Sequence, residues 1–557
     1  MLNNTSQEPN NNYDEAYKLL AQSSVEADLP LLEDIQGNIL KSHGRTYSIY
    51  LFLHFDNKQP EATKNWIGDF AQKYVGSATQ QAAQSRAYRE LCNQNAVALP
   101  QNLFVNFSLS FKGYEALGLD AKTNFLKLYQ QKLKAIETNF IGSHPFEEGM
   151  IENIGTLKDK RSDWEEEYLQ ANDEIHALIL LADSDRDGLF EKASSIIKEI
   201  KENSSTTIKI VKTEIGFVRR NNLDMPVEPF GFADNISQPL FLKTDIEEVT
   251  NKDKWDPSAN LRLVLNVDPF GEKFTDRKGT KYSFGSFLVY RKLEQDVKGF
   301  NNEITKLARK LENRGSDAPP QEETEQLARA YSMGRFREDG RPVAMYVNLG
   351  NPEGSEIELN NFNYGAGSDF KDTSQWKCPF HAHIRKVTSR ATNSDKVYSG
   401  SNYDDTAENQ RQRRIARRGT TYGLPTEDCA LLLSASTQEN LAHYQHLCEQ
   451  LGVKLAAGKE GTLFFCFQSD IQAQFNKLQD YANDRDFGPN QQRNLGADPI
   501  AGQQGKEEQW PSQTWPSKWG DKKNPIEDAS FFGYVTPRGG EYFFTPSLSF
   551  LRSLKAA

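Results

Sequence analysis

The order of strand-like and helix-like segments in the first 220 residues constrains the fold more than any other feature of the chain. The strand-like segments are rich in β-branched and aromatic residues, and the helix-like segments have apolar residues three or four positions apart. In chain order they are a strand at Tyr47–Phe55, a helix at Glu61–Tyr74, strands at Leu103–Phe111 and His176–Asp183, a helix at Arg186–Lys201 and a strand at Thr207–Arg219. This β-α-β-β-α-β order predicts a ferredoxin-like domain, an antiparallel sheet with helices packed on it.

A second series of such segments follows residue 221. Ser286–Leu293, His383–Val387 and Gly461–Phe467 are predicted strands, and Ser469–Asp484 is a predicted helix. Residues 1–30 are rich in Asn, Ser and Glu, a composition that predicts disorder. The sequence therefore predicts an α+β fold with a disordered tail at 1–30, one domain at 31–220 and another at 221–557.

Charge and cysteine content limit the partners and the compartment. The chain has 66 Lys and Arg against 77 Asp and Glu, and this excess of acid disfavours nucleic acid and anionic membranes. Its five cysteines form no C-x-x-C pair, which favours a reducing compartment. The chain does not begin like a signal peptide, and no apolar run approaches the roughly 20 residues of a membrane helix. We therefore expect a cytoplasmic protein that binds neither nucleic acid nor a membrane.

The segment Cys378–Arg390, CPFHAHIRKVTSR, contains two of the chain's eight histidines, His381 and His383, followed by several basic residues. A neutral imidazole is a common ligand of transition metals and of haem iron. Basic side chains nearby would suit the carboxylates that a haem carries. Taken alone, the pattern also fits a strand with one buried and one exposed histidine.

Two other segments favour the chemical interpretation. Gly231–Pro239, GFADNISQP, holds one carboxylate, Asp234, in a turn-forming stretch. Arg411–Gly423, RQRRIARRGTTYG, has five arginines among its first eight residues, which indicates a solvated face or an anion site. An imidazole, a carboxylate and a permanent cation are what peroxide cleavage at a haem requires. The carboxylate moves a proton, and the cation stabilises the negative charge that builds up as the O–O bond breaks.

On these motifs the chain resembles the dye-decolorizing peroxidases, haem enzymes whose distal acid is an aspartate. Gly231–Asp234 is similar to the family's Gly-x-x-Asp-Gly motif, which implies that Asp234 is the distal acid/base. His383 begins a match to the family's His-Ile-Arg-Lys motif, which implies that it is the axial ligand of the haem iron and that His381 is additional. Arg417 begins a match to the R-x-G-x-x-Y-G turn, which implies that it is the distal arginine.

The resemblance is colinear over most of the chain and is strongest to the long-sequence branch of the family. The further matching segments are Glu33–Arg45, Phe284–Val297, Met333–Val343, Gly461–Ile471 and Thr536–Leu551. It implies two ferredoxin-like domains, with one haem b per chain held mainly by the second. It also implies that Arg390 contacts a haem propionate and that Tyr422 relays electrons from substrates too large for the haem pocket.

One position departs from the family motif, because Asn235 replaces its last glycine. Asparagine tolerates a left-handed backbone better than other side-chain-bearing residues, so we expect the turn to survive. The implied activity is oxidation of anthraquinone-type dyes, phenols and similar one-electron donors by hydrogen peroxide. A haem carrier or sensor on the same fold is the alternative and would not need Asp234 and Arg417. An interaction protein without a cofactor would leave the His383 motif unexplained.

Two weaker signals concern metal binding and the surroundings of His383. His443, His446 and Cys448 lack the i, i+4 histidine pair of a zinc-binding helix, so an ordinary surface helix is the better interpretation. Asp470 follows a predicted core strand and is a candidate for orienting His383, although several other acids compete for that role.

Overall fold

Eight antiparallel strands form a closed barrel in the computed structural model of this chain. We number them in chain order: β1 Tyr47–Phe55, β2 Phe104–Leu109, β3 Ala177–Asp183, β4 Ile208–Phe217, β5 Phe284–Gln295, β6 Thr420–Gly423, β7 Glu460–Gln468 and β8 Val535–Thr545. Their spatial order is β4-β1-β3-β2-β8-β5-β7-β6, and β6 pairs with β4 to complete the circle. Closure leaves the barrel strands without an open edge that could pair with another chain.

The structure describes residues 14–93, 103–136, 144–170, 174–203, 207–249, 255–312, 321–348, 351–352, 359–362, 364, 377–388, 390, 399–400, 403–404, 407–426, 430–431, 433–484, 496–504, 513–517 and 524–555.

The two halves of the barrel have the same internal arrangement. The first four strands are ordered β4-β1-β3-β2 and the last four β8-β5-β7-β6, so first, second, third and fourth strands correspond. The halves join where Phe217 pairs with Thr421 and where Leu109 pairs with Phe544. The predicted α+β class, with antiparallel ferredoxin-like sheets that carry helices, is confirmed. The division into domains near residue 220 stays our proposal.

Helices connect the barrel strands and cover them. In the first half they are Asp14–Leu20, Pro60–Tyr74, Ala78–Asn93, Phe111–Ala116, Ala121–Ile136, Pro145–Glu148, Ile154–Leu157, Glu166–Leu169 and Arg186–Asn203. In the second half they are Lys243–Glu247, Val297–Glu312, Gln321–Met333, His383–Val387, Ala407–Arg413, Ala435–Gln450, Lys477–Asn483 and Leu548–Ser553, with a π-helix at Ile471–Asn476. Single 3-10 turns lie at Pro30–Glu33, Arg161–Asp163, Leu261–Leu263 and Val343–Met345.

Short strands outside the barrel stabilise the loops of the second half. They are Arg219–Arg220, Pro226–Val227, Asn266–Val267, Phe274–Thr275, Lys281–Tyr282, Tyr346–Asn348, Asn351–Pro352, Ser399–Gly400, Tyr403–Asp404, Ala416–Arg417, Gln513–Trp515 and Ile526–Ala529. Of these, Ala416–Arg417 pairs with β7 and Asn266–Val267 pairs with β5.

Two expectations from the sequence are corrected by these elements. The predicted disorder does not extend to residues 14–30, because a helix occupies Asp14–Leu20 and Val25 forms a bridge to Leu242. Leu20 and Val25 are buried, and this packing anchors the segment; residues 1–13 lie outside the described residues. His383–Val387 is a helix and not the predicted strand.

The buried apolar residues form two clusters. The larger one fills the barrel and the space beneath the first-half helices. The smaller one lies in the second half, where Phe230, Phe232 and Phe300 pack with Trp515 and Phe531. Because this smaller cluster includes Phe232, two residues before Asp234, and Ala382, next to His383, it supports the segments that carry both side chains.

Candidate active site

A cavity on the outer face of β5 and β7 brings together four of the five residues singled out in the sequence. His383, Asp234, Arg390 and Arg417 all line it. Alternate residues of the two strands form one of its walls: Arg291, Leu293, Gln295, Thr462 and Phe464. The remaining walls include residues of the helices at 321–333, 383–387 and 477–483. We call this space the main cavity.

His383 is the first residue of a short helix that is fixed by buried neighbours. The amides of Arg385 and Lys386 both donate to the carbonyl of Ala382, which closes the first turn. The Arg385 guanidinium stacks on the Phe380 ring at 4.1 Å and donates to the carbonyl of Cys378. Arg385 and Lys386 are each only 1% exposed. These contacts explain why the segment is helical despite its alternating histidines.

Asp498 orients the imidazole of His383. Its Oδ2 lies 2.7 Å from Nδ1 of His383, and its side chain is completely buried. Its Oδ1 accepts hydrogen bonds from the amides of Ile500 and Ala501 at 2.8 and 3.0 Å. A carboxylate that accepts from Nδ1–H leaves Nε2 with its lone pair, so Nε2 is the nitrogen that can bind a metal.

Asp470, the candidate from the sequence for orienting His383, does not contact His383. Asp470 caps the helix that begins at Ile471 and accepts a hydrogen bond from the amide of Ala473 at 2.8 Å. The nearby histidine, His381, is fully buried and packs edge-on against Trp515, with the ring centres 4.3 Å apart. Asp498 was missed because 115 residues separate it from His383 and no local pattern links the two.

Asp234 projects from a tight loop in which the segments 226–228 and 232–234 pair with each other as two short arms. Val227 bridges Ala233, and the Asp234 amide donates to the carbonyl of Pro226 at 2.8 Å. Asn235, which replaces the family's glycine, has φ of 62°, so the expected left-handed turn is confirmed. Its backbone amide donates to Oδ1 of Asp234 at 2.6 Å. The turn therefore keeps its shape and also fixes the carboxylate.

Arg417 approaches Asp234 from the edge of the barrel. Its backbone pairs with Cys466 of β7, and its amide donates to Oε1 of Gln238. Its Nη2 donates to the carbonyl of Ile236 at 3.0 Å, while Nη1 lies 3.7 Å from Oδ1 of Asp234. Because this last distance exceeds that of a hydrogen bond, both groups keep capacity to bind a small molecule in the cavity.

Two buried arginines form a second positive group in the same cavity. Nη2 of Arg390 and Nη2 of Arg335 both donate to Oγ of Ser237, at 3.0 and 3.1 Å, and to Oδ1 of Asn360, at 3.3 and 3.2 Å. Arg390 also stacks on the Phe362 ring at 3.9 Å. Burial lowers the pKa of Arg335 to about 10, and burial, with the neighbouring charge of Arg335, lowers the pKa of Arg390.

The arrangement of donors fits a haem group. In the described part of the chain, neither Arg335 nor Arg390 has a carboxylate partner, so two buried positive charges lack a counter-charge. An uncompensated buried cation is costly, and the carboxylates of a ligand would remove that cost. His383 offers Nε2 to the same cavity. Arg335 was not identified from the sequence, because a single arginine in a loop gives no signal.

Glu228 is a further acid in the wall of the main cavity that the sequence did not reveal. Oε1 accepts from the amide of Phe232 at 2.9 Å, and Oε2 accepts from the amide of Phe230 at 3.0 Å and from Nε2 of Gln295 at 2.6 Å. Burial raises the pKa of Glu228 to about 7, and the charge of Asp234 adds to the rise.

Tyr422 does not line the main cavity. Its ring faces Nζ of Lys292 at 5.0 Å, and Lys292 alternates along β5 with the cavity residues Arg291 and Leu293. Tyr422 therefore points to the opposite face of the sheet, into the barrel. It is 8% exposed, its hydroxyl has no hydrogen-bond partner among the described residues, and burial raises its pKa.

The described residues contain no group of three or more His, Cys, Asp or Glu side chains that could hold a metal ion. The segment with His443, His446 and Cys448 is the predicted helix, and Cys448 faces the core. Within the same described ranges, no helix is long and apolar enough to cross a membrane.

The chain is similar to known proteins over most of its length. Residues 34–220 match the family described as the DyP dimeric alpha+beta barrel domain. The chain is 30% identical over 540 residues to the multifunctional dye peroxidase DyP2 of Amycolatopsis sp., with 94% of this chain and 96% of that protein covered. The dye-decolorizing peroxidase AauDyP1 of Auricularia auricula-judae is 26% identical over 93% of this chain and 85% of its own length. A solved DyP-type peroxidase of Anabaena sp. superposes with a TM-score of 0.72 at 35% identity, covering 96% of this chain and 99% of that one.

Proposed function

The chain belongs to the dye-decolorizing peroxidase family and is a peroxidase enzyme, and from this premise we propose that it binds one haem b in the main cavity. We further propose that it uses hydrogen peroxide to oxidise anthraquinone-type dyes, phenols and similar one-electron donors. The observation that carries this proposal is that His383, oriented by Asp498, shares one cavity with the pair Asp234 and Arg417.

In this proposal, Nε2 of His383 would bind the haem iron, and the buried arginines would hold the carboxylates of the cofactor. A bound haem would supply the redox-active iron that takes up the two oxidising equivalents of peroxide. Asp498 strengthens Nε2 of His383 as a ligand, because a carboxylate that accepts from Nδ1–H raises the basicity of the imidazole. Arg390 and Arg335 would donate to the carboxylate oxygens of the cofactor, because their described partners, such as Ser237, are uncharged.

Asp234 and Arg417 act on the peroxide itself. The Asp234 carboxylate takes the proton from one oxygen of hydrogen peroxide and returns it to the other, so that the departing group leaves as water. The guanidinium of Arg417 stabilises the negative charge on that departing oxygen. The 3.7 Å separation of Nη1 and Oδ1 supports this division of roles, because neither group is committed to the other.

The test is peroxide-dependent turnover of an anthraquinone dye by the haem-loaded protein and two variants. Asp234→Asn removes the proton acceptor, and we expect turnover to fall by a factor of about 10² or more. Asp224→Asn is the matched control, since Asp224 is an 86% exposed aspartate in a neighbouring turn. Equal turnover by wild type and Asp234→Asn would overturn the role of Asp234. Haem binding without any turnover by the wild type would favour the carrier or sensor.

A further inference from the structure

A second cavity lies beside the main one, and Glu228 is the one described residue that lines both. The second cavity opens at the surface next to Leu223 and Leu431, which are 61% and 72% exposed. Pro229, Phe230 and Gly231, the next residues along the chain, line the second cavity as well. The carboxyl of Glu228 therefore lies at the boundary between solvent-connected space and the cavity that holds Asp234.

The loop geometry brings Glu228 and Asp234 to one face. The amide of Glu228 donates to the carbonyl of Phe232 at 3.1 Å, and Val227 bridges Ala233, so the two arms pair in antiparallel register. Side chains alternate between the two sides of such a pairing. The side chains of Glu228 and Asp234 therefore project to the same side, and the two residues are diagonal neighbours. Their charges interact, since the Asp234 carboxylate contributes to the raised pKa of Glu228.

Peroxide reduction consumes protons, and these must reach Asp234 in the main cavity. Conversion of one hydrogen peroxide to two waters consumes two electrons and two protons. The first water forms with the protons that peroxide already carries, so the two external protons enter later, together with the electrons from the reducing substrate. A ligand that fills the main cavity displaces water on that side of Asp234, and the second cavity offers a separate route.

We propose that Glu228 is a proton-relay residue that carries these protons from the second cavity to Asp234. This inference rests on the proposed function. In each step the O–H bond of the protonated Glu228 breaks and an O–H bond forms on the Asp234 carboxylate, with the proton passed through one water, because the two carboxyls share no hydrogen bond. Water in the second cavity then returns a proton to Glu228, and Asp234 passes its own proton to the oxygen that becomes the second water. Glu228 acts through Asp234 and does not touch the peroxide.

Several charged groups surround this carboxyl and bear on its titration. Burial raises the pKa of Glu228, the hydrogen bonds from Gln295 and from two backbone amides oppose the rise, and the charge of Asp234 adds to it. On the side of the second cavity, the charged residues are Arg219, Glu460, Arg337 and Glu338, of which Arg219 and Glu460 form a buried ion pair. Because Glu228 exchanges protons near neutral pH, it can both give and regain a proton during turnover.

The experiment must distinguish a proton relay from a structural role of Glu228, because its carboxyl also accepts hydrogen bonds from two backbone amides of the loop. Glu228→Gln keeps the size of the side chain and one acceptor oxygen, and Glu228→Asp keeps the titrating group. Glu541→Gln is the matched control. Glu541 is buried and its pKa is likewise raised to about 7. It accepts from the amides of Met150 and Tyr542, yet it lines neither cavity.

The experiment follows the haem-loaded protein by stopped-flow absorbance in two separate steps. The rate of the spectral change caused by peroxide should be unaffected in Glu228→Gln, because that step needs no external proton. The rate of return to the starting spectrum with a phenolic reductant should fall about tenfold or more below pH 7, and the decline that wild type shows as pH rises through about 7 should disappear. Glu228→Asp should retain the decline, and Glu541→Gln should behave as wild type.

A second readout does not depend on turnover. Infrared titration should show a larger loss of protonated-carboxyl signal near pH 7 in wild type than in Glu228→Gln, in which the signal of Glu541 remains. A return rate in Glu228→Gln that equals the wild-type rate, with an unchanged pH profile, would overturn the relay, as would the same slowing in Glu541→Gln. Failure of the proposed function is distinguishable, because the wild type would then give no spectral response to peroxide at all.

Discussion

Oδ2 of Asp498 lies 2.7 Å from Nδ1 of His383, across 115 residues of sequence. The contact fixes which imidazole nitrogen carries the hydrogen and therefore which one can bind iron. It depends on two backbone amides that hold the other oxygen of Asp498. The axial ligand of the proposed haem site is thus oriented from the loop at 496–504, far along the chain from the helix on which His383 lies.

Replacing Asp498 should weaken haem binding. We expect Asp498→Asn to lower haem affinity by a factor of about 10 to 100, because a neutral amide oxygen accepts the Nδ1–H more weakly than a carboxylate does. Titration of the haem-free protein with haem, followed by visible absorbance, measures this. Asp470→Asn is the control and should bind haem as wild type does, since Asp470 caps a helix instead. Equal affinities for Asp498→Asn and wild type would contradict the orienting role.

Replacing Arg417 should slow the reaction with peroxide while leaving haem binding intact. Loss of a positive group at the departing oxygen typically costs a factor of about 10² to 10³, and we expect Arg417→Ala to lie in this range. The rate of the spectral change after mixing with peroxide is the measurement. Arg411→Ala removes an arginine of the same basic run that pairs with Asp256 and does not line the cavity, so its rate should not change.

Replacing Arg390 should reduce haem affinity more than it affects peroxide chemistry. A hydrogen bond to a charged group contributes about 1.5 to 3 kcal/mol, so Arg390→Gln should bind haem about 10 to 100 times more weakly. Arg390→Lys keeps the charge but loses the forked geometry and should be intermediate. The same haem titration compares them. If both variants bind haem as tightly as wild type, the buried arginines do not hold the carboxylates of the cofactor.

The stability of the protein should fall as pH rises through neutrality, in part because of Glu541. Burial raises the pKa of Glu541 to about 7, so the folded state favours the neutral acid. Its contribution is present below the unfolded pKa of about 4.3 and is lost as pH rises through about 7. Glu541→Gln should therefore lose less of its Tm than wild type between about pH 5 and pH 9. Parallel Tm profiles would contradict the raised pKa.

The relay role of Tyr422 stays a prediction, and its buried position makes the test demanding. Tyr422→Phe should slow oxidation of bulky dyes while sparing the reaction with peroxide. The hydroxyl has no hydrogen-bond partner among the described residues, so a proton acceptor for an oxidised tyrosine is not evident there. Dye turnover and the peroxide step are measured on the same two proteins. Equal dye turnover would remove Tyr422 from the electron path.

Local sequence patterns were sufficient for most barrel strands and for the helices beside them. The strand at Tyr47–Phe55 is one example, because its β-branched and aromatic residues suit a strand that is buried on both faces. The helix at Pro60–Tyr74 is another, because its buried residues recur three or four positions apart. The pattern at His383–Val387 wrongly predicted a strand. The segment is a helix because of the buried contacts of Arg385, which its side-chain periodicity does not reveal.

Long-range features could not be obtained in this way. Closure of the barrel depends on the pairing of Phe217 with Thr421, and the site depends on the contact between His383 and Asp498. Glu228 and Arg335 acquire their significance only from the cavity that they line. None of these relationships leaves a periodic or motif-like trace in a single sequence.

The most direct test of the account is the visible absorption spectrum of the haem-loaded protein before and after one equivalent of hydrogen peroxide, with Asp234→Asn measured beside it. We expect a ferric haem band in both proteins. Peroxide should convert it rapidly in the wild type and far more slowly in the variant, and an anthraquinone dye should restore the original spectrum. Failure of the wild type to bind haem, or an equally fast conversion in Asp234→Asn, would contradict the account.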